Sequence, residues 1–232
     1  MAMQPCHAHH MIADEVLFID AEALVLNKPA GLAVHPGPRT PHSLEALAGE
    51  LRFGFQREPQ AVHRLDRDTS GCLLMARNPK ALRRLSAAFE QGLVEKCYWA
   101  VLDGSPQGDA GVIDLPLLKV SSKAEGWRIV ADGKGKPART RWQVLQRAGG
   151  RVLVAFMPET GRTHQIRVHA ASGLGVPIAG DPVYGKGPGR MLLHARRLVV
   201  PRGEGRTVID VTAPLPLPFV SAGFADEVDD AA

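Results

Sequence analysis

Three short polar segments interrupt largely apolar surroundings: Asn27 to Gly37, His63 to Gly71 and Gly161 to His169. The middle one, His63-Arg64-Leu65-Asp66-Arg67-Asp68-Thr69-Ser70-Gly71, packs two carboxylates, two guanidinium groups and an imidazole into a turn between strand-like runs. Arginine neighbours favour the ionised carboxylate, at or below its reference pKa of about 3.9, and the same guanidiniums can meet phosphate. A carboxylate so held can remove a proton, attack an electrophilic carbon or stabilise positive charge developing beside it. The plainer reading takes Asp68, Thr69, Ser70 and Gly71 as turn formers and Asp66 as half of a surface ion pair. Local chemistry does not choose between Asp66 and Asp68.

The third segment, Gly161-Arg162-Thr163-His164-Gln165-Ile166-Arg167-Val168-His169, stands where a helix is expected to begin. Thr163 can cap that helix, and positions 163, 166 and 167, or 165 and 169, share a face. Arg162 and Arg167 can receive phosphate, or one can pair with a catalytic carboxylate; an exposed basic helix is the simpler alternative. In the first segment Lys28 and His35 sit among Pro29, Gly31, Pro36 and Gly37, a composition suited to a stiff loop lining a cleft. His63, His164 and His169 show neither HxH nor HExxH spacing, so they read as hydrogen-bonding or phosphate-facing residues and no metal site is expected.

These segments need a scaffold. Val16 to Ile19 and Ala23 to Leu26 flank Asp20-Ala21-Glu22 as a hairpin, and Cys72 to Ala76 is a further apolar run. Asn78-Pro79 then sets a cap residue before a proline at the first helical position, and Leu82, Leu85 and Phe89 recur at helical spacing until Gly92. Val94 to Leu102, Trp127 to Ala131, Arg139 to Leu145, Val152 to Phe156, Met191 to Val200 and Val208 to Val211 read as strands, and Thr163 to Ser172 as a second helix. Strands outnumber helices without alternating with them, which predicts an α+β domain on a mixed, largely antiparallel sheet. Its expected limits are 14–220, between a flexible tail over 1–13 and an acidic tail over 221–232. Cys6, His7, His9 and His10 fall in the first tail and lack the further ligands that would close a metal shell.

The chain has 232 residues, enough to bury a core without disulfides or metal. Its net charge is +4, but Asp226, Glu227, Asp229 and Asp230 cluster at the end, so a basic body faces a polyanionic partner well. Three widely separated cysteines, Cys6, Cys72 and Cys97, suggest neither a disulfide framework nor a zinc ribbon. No run approaches a membrane span, and no basic segment precedes an apolar one at the start. The expectation is a cytoplasmic protein with no membrane association and no obligate protein partner.

The ordered motifs resemble the RluA family of pseudouridine synthases along nearly the whole chain. Asn27-Lys28-Pro29-Ala30-Gly31 with His35-Pro36 is similar to its opening, and His63 to Gly71 to its HRLD-x-x-TSG signature. Lys96-x-Tyr98-x-Ala100, Gly161 to His169, Gly180-Asp181 with Tyr184-Gly185, Leu193-His194-Ala195 and Ala213-Pro214-Leu215-Pro216 continue the match. Val200-Pro201 departs from it, standing where the family has His-Pro. Many relatives carry an N-terminal S4-type RNA-binding domain, for which the residues before Glu15 leave no room.

The resemblance implies a pseudouridine synthase fold with helices and loops flanking the sheet and a central basic cleft. It makes Asp66 the essential aspartate, Tyr98 and Arg167 its companions, and Arg64 the residue that can fill the space vacated by an extruded nucleotide. His63, Arg67, Arg162, His164 and Lys28 are the further candidates for RNA contact. The implied reaction breaks the uridine bond from C1′ to N1 and rejoins the base through C5, which needs no cofactor. The implied substrate is structured RNA, ribosomal or transfer, with the uridine flipped from its stack. Two rivals remain: an inactive RNA-binding protein on the same fold, marked by loss of Asp66, Tyr98 or Arg167, and a metal-dependent phosphodiesterase using His63 or His164.

Overall fold

A computed structural model describes residues 11–37, 40, 42–122, 126–185 and 187–226. The strands are β1 (Val16–Ile19), β2 (Ala23–Lys28), β3 (Gln60–Ala61), β4 (Ser70–Ala76), β5 (Glu95–Leu102), β6 (Ala110–Asp114), β7 (Leu117–Ser122), β8 (Gly126–Ala131), β9 (Arg139–Ala148), β10 (Arg151–Pro158), β11 (Leu193–Val200) and β12 (Ile209–Thr212). One sheet runs β1-β2-β4-β11-β5-β10-β9-β6, with β12 paired to β11 and β3 to β4, while β7 and β8 form a separate two-stranded arm. Every pairing described is antiparallel except β4 with β11. The architecture is the α+β one expected from the strand-rich pattern.

All seven residues of β4 are buried, which accounts for its unbroken apolar run at the sheet centre. Its start is fixed by Gly71, whose φ of +100° and approach to β11 exclude any side chain: a Cβ there would sit 2.2 Å from the Ala195 carbonyl oxygen. The polar turn of residues 63–69 is therefore delivered to the middle of the sheet. Helix α1 (Pro79–Glu90) packs over this region, with Asn78 Oδ1 accepting from the Ala81 N–H at 2.8 Å as its cap. One core cluster joins β2, β4 and α1 through Leu24, Leu26, Leu73, Leu74, Met75 and Leu85, with Val16, Leu17 and Phe18 of β1 packed against it. A second, including Leu102, Trp142, Val154 and Phe156, lies under the segment carrying Arg167, and a third gathers around Trp99 and Leu153.

Three expectations change. The second helix is short: α2 (Gln165–Val168) continues as a π-helical turn over His169–Gly173, and Thr163 does not cap it. His164 holds the cap position at φ +54° without a side-chain cap bond to the helix, and the Gln165 side chain braces the preceding turn instead, its Oε1 accepting from the Arg162 N–H at 2.9 Å and the Thr160 hydroxyl at 2.7 Å. The first domain limit also moves, since Ile12 is buried and opens a 3-10 turn over Ile12–Glu15. At the other end, α3 (Leu217–Ser221) is followed by a buried Phe224, by Ala225 bonded twice to the Gln146 amide, and by Asp226 paired with Arg196. Residues 221–226 thus belong to the folded body because Phe224 completes the third cluster; 227–232 and the histidines before Met11 lie outside the described residues.

Candidate active site

The turn before β4 and the start of α2 meet across the sheet. Between them lies a cleft of about 140 Å³ whose walls include Arg64, Asp66, Lys96, Tyr98, Arg162, His164 and Arg167. Asp66 and Asp68 part here. Asp66 is in the cleft, whereas Asp68 holds Arg67 in an exposed pair at 3.0 and 3.2 Å.

Asp66 Oδ2 accepts from Arg167 Nη1 at 3.1 Å, and the Asp66 side chain keeps 20% of its exposure, so it is held yet reachable. Arg167 is buried, and its other two nitrogens are engaged: Nε reaches Asp181 Oδ2 and Nη2 reaches Asp181 Oδ1, both at 2.8 Å. Asp181 Oδ1 also accepts from the backbone N–H groups of Val183 at 2.8 Å and Tyr184 at 3.1 Å. Burial alone would raise the Asp181 pKa, but the Arg167 guanidinium and these two N–H groups more than offset it and the net shift is down. Burial likewise opposes charge on Arg167, and Asp181 and Asp66 together overcome it, leaving the guanidinium more firmly protonated than usual. The Asp181 loop is shaped by Gly180, whose φ is +70° and where a Cβ would fall 2.3 Å from the Arg190 carbonyl oxygen.

His164 forms the wall beside Asp66, with Nε2 3.7 Å from Asp66 Oδ2. Its left-handed backbone costs about 1–3 kcal/mol for a non-glycine residue, strain of the kind found at functional sites. The Tyr184 hydroxyl accepts from the Ile129 N–H at 3.1 Å and meets His164 Nδ1 at 2.9 Å. Burial lowers the His164 pKa, with Asp66 opposing and Arg167 reinforcing, and the net shift is down. Tyr98 extends from β5 into the same cleft; burial, then the charge of Asp66, raises its pKa, so the phenol keeps its proton.

Three expected RNA contacts are not in the cleft. Lys28 is fully buried, its Nζ donating to the carbonyl oxygens of Pro29 at 2.8 Å, Leu32 at 2.8 Å and Arg67 at 3.1 Å. Burial lowers its pKa to about 7 against the pull of Asp68 and Asp66. It ties the Asn27 to Gly37 segment to the backbone of the Asp66 turn, helped by the Gly31 N–H donating to Arg67 O at 2.8 Å. His63 also faces inward: its Nε2 accepts from the Leu74 N–H at 3.0 Å and its ring stacks on Phe89 at 4.5 Å. The Arg67 side chain is exposed but turned to Asp68. The partners of cleft residues that residue types alone did not single out are Asp181, on Arg167, and Tyr184, on His164. A buried arginine needs a second carboxylate, and the Gly180-Asp181 pair was the available signal.

The family model described as RNA pseudouridylate synthase matches residues 22–172. This chain belongs to that family. An uncharacterised RNA pseudouridine synthase of Zymomonas mobilis is 59% identical over 218 residues, covering 92% of this chain and 99% of that protein. Ribosomal large subunit pseudouridine synthase C of Vibrio vulnificus is 37% identical over 218 residues, covering 88% of this chain and 66% of that enzyme. Among solved structures, human RNA pseudouridylate synthase domain containing 4 superposes with a TM-score of 0.75 at 27% identity, covering 91% of this chain and 92% of that one. The activity of the synthase is RNA pseudouridine formation, an isomerisation. The rival of an inactive binding protein required loss of Asp66, Tyr98 or Arg167, and all three are present in one cleft. The phosphodiesterase rival needs metal ligands: His63 is committed to Leu74, and the described residues contain no group of three or more His, Cys, Asp or Glu able to hold a metal ion.

Proposed function

We propose that the synthase isomerises uridines in structured RNA with Asp66 as its catalytic carboxylate. The observation that carries this reading is the single Arg167 contact to Asp66, which orients one carboxylate oxygen at the cleft and leaves the group accessible. Asp66 acts at the sugar, by attack on C1′ or by removal of a proton from C2′. Arg167 positions it. The Tyr98 ring receives the flipped base, and its retained proton excludes the free phenolate as a ready base. Arg64 fills the space that the base vacates, and Arg64, Arg162 and His164 contact the phosphates and sugars around it. Flipping costs a few kcal/mol, which these contacts offset.

The names of the ribosomal relatives make large-subunit ribosomal RNA the first substrate to examine, with transfer RNA beside it. A substrate of that class implies a cytoplasmic enzyme, in keeping with Cys72 and Cys97 forming no disulfide. Rejoining through C5 expels the C5 hydrogen to water, so the test is tritium release from C5-labelled RNA. Wild type is expected to release tritium and Asp66→Asn to release none while still binding RNA. Release by Asp66→Asn at the wild-type rate overturns the role of Asp66.

A further inference from the structure

The β7–β8 arm has two halves. Toward its base, Leu117 and Ile129 point inward and are buried with Ala138 and Val168, and the Ile129 N–H donates to the Tyr184 hydroxyl. The register pairs Lys119 with Ile129 and Ser121 with Trp127, so Lys119, Trp127 and Ile129 share this inward face. One step beyond Ile129 the covering core ends. Trp127 keeps 49% of its exposure, whereas Trp99 and Trp142 are 0% and 6% exposed. The Trp127 ring stands 5.2 Å from the His164 ring, whose Nε2 is 3.7 Å from Asp66, and the Lys119 ammonium lies 5.0 Å above the indole.

We propose that Trp127 is a stacking platform for an RNA base flanking the flipped uridine, with Lys119 meeting the phosphate beside it. An indole is the widest aromatic face a side chain offers, and this one stays half exposed beside the cleft-lining His164 although it meets that ring and Lys119. Base stacking on such a ring tolerates any sequence, while the adjacent cation adds a charge contact that salt weakens. The position fits a neighbour of the target rather than the target itself, because the His164 ring separates Trp127 from Asp66. The platform would thus hold the strand next to the target and add affinity without reading its sequence. This inference rests on the synthase reading of the Asp66 cleft.

The buried state of the other two tryptophans makes Trp127 the fluorophore that a neutral quencher reaches. Unmodified large-subunit ribosomal RNA, transcribed in vitro, is expected to shield wild-type fluorescence from acrylamide, and Trp127→Phe is expected to abolish the shielded component. In tritium release, Trp127→Ala is expected to raise KM by about 5- to 150-fold, falling on KM more than on kcat; Trp127→Phe should recover most of it, and Lys119→Ala should lower the salt dependence of KM. Unaltered acrylamide access at saturating RNA, or an unchanged KM in folded Trp127→Ala, overturns the platform. If wild type binds RNA but releases no tritium from either ribosomal or transfer RNA, the synthase reading of the cleft fails instead, and filter-binding affinities of wild type and Trp127→Ala still decide the platform.

Discussion

Arg167 and Asp181 meet in a two-point ion pair, Nε to Oδ2 and Nη2 to Oδ1, each at 2.8 Å. Two points fix the plane of the guanidinium, so the one nitrogen left, Nη1, arrives at Asp66 from a set direction. In the proposed mechanism Asp181 positions Asp66 through Arg167. Asp181→Asn is expected to lower single-turnover kcat by about 10- to 100-fold, since a misplacement near 1 Å can cost that much, with KM for RNA nearly unchanged. Loss of the buried pair should also destabilise the fold by about 3–5 kcal/mol in denaturant titrations. A folded Asp181→Asn enzyme with wild-type kcat would remove Asp181 from the mechanism.

Much of this geometry was legible in the residues, and where it was not the reason is physical. Asn78-Pro79 announced α1 because cap and proline act locally. The Asp66 turn was legible as a dense polar cluster, but its separation from Asp68 depends on a partner 101 residues away, Arg167, that no local pattern ranks. Thr163 obeyed the capping rule, yet the cap position fell to His164 with no side-chain cap bond, because Gln165 anchors the turn by satisfying Arg162 N–H, Arg139 O and the Thr140 and Thr160 hydroxyls at once from a buried site. Lys28 and His63 looked like surface contacts because their residue types usually are; only the fold shows that both serve backbone groups. Strand β6 was missed since Ala110, Gly111, Val112 and Asp114 are exposed and only Ile113 is buried, which leaves no alternation to read.

The positions of the arginines predict how salt acts. Arg64 and Arg162 line the cleft and Arg67 is turned to Asp68 outside it. In filter binding across 50–300 mM salt, Arg64→Ala and Arg162→Ala should each flatten the dependence of log K on log salt by roughly 0.7–0.9. Arg67→Ala should leave the slope at the wild-type value. Equal flattening by all three would mean that RNA spreads over the outer face of the turn as well.

Lys28 separates a structural lysine from a phosphate-binding one. Its three carbonyl partners lose their donor in Lys28→Met, and each buried acceptor left unmet costs about 1–3 kcal/mol. The variant is expected to shift the urea midpoint down by an amount reflecting at least one such loss and to reduce kcat by loosening the Asp66 turn. Its salt slope for RNA binding should equal that of wild type. A stable variant with a flatter slope would show instead that Lys28 reaches RNA.

His63 gives the fold a weakness on the acid side. Burial, with Lys96 adding to it, drives the His63 pKa down to about 3 in the folded protein, while the unfolded chain titrates near the ordinary value of about 6.5. Below pH 6.5 the unfolded state takes up the proton first, so stability is complete above that pH and is lost as pH falls toward 3. His194, lowered to about 4 chiefly by burial, works in the same direction. Urea titrations should find the protein less stable at pH 5 than at pH 7.5 by on the order of 2 kcal/mol or more. His63→Asn should begin less stable at pH 7.5, where the Leu74 N–H loses its acceptor, yet lose less on acidification than wild type does. Parallel stability curves for the two proteins would mean that His63 is not the group whose protonation opens the fold.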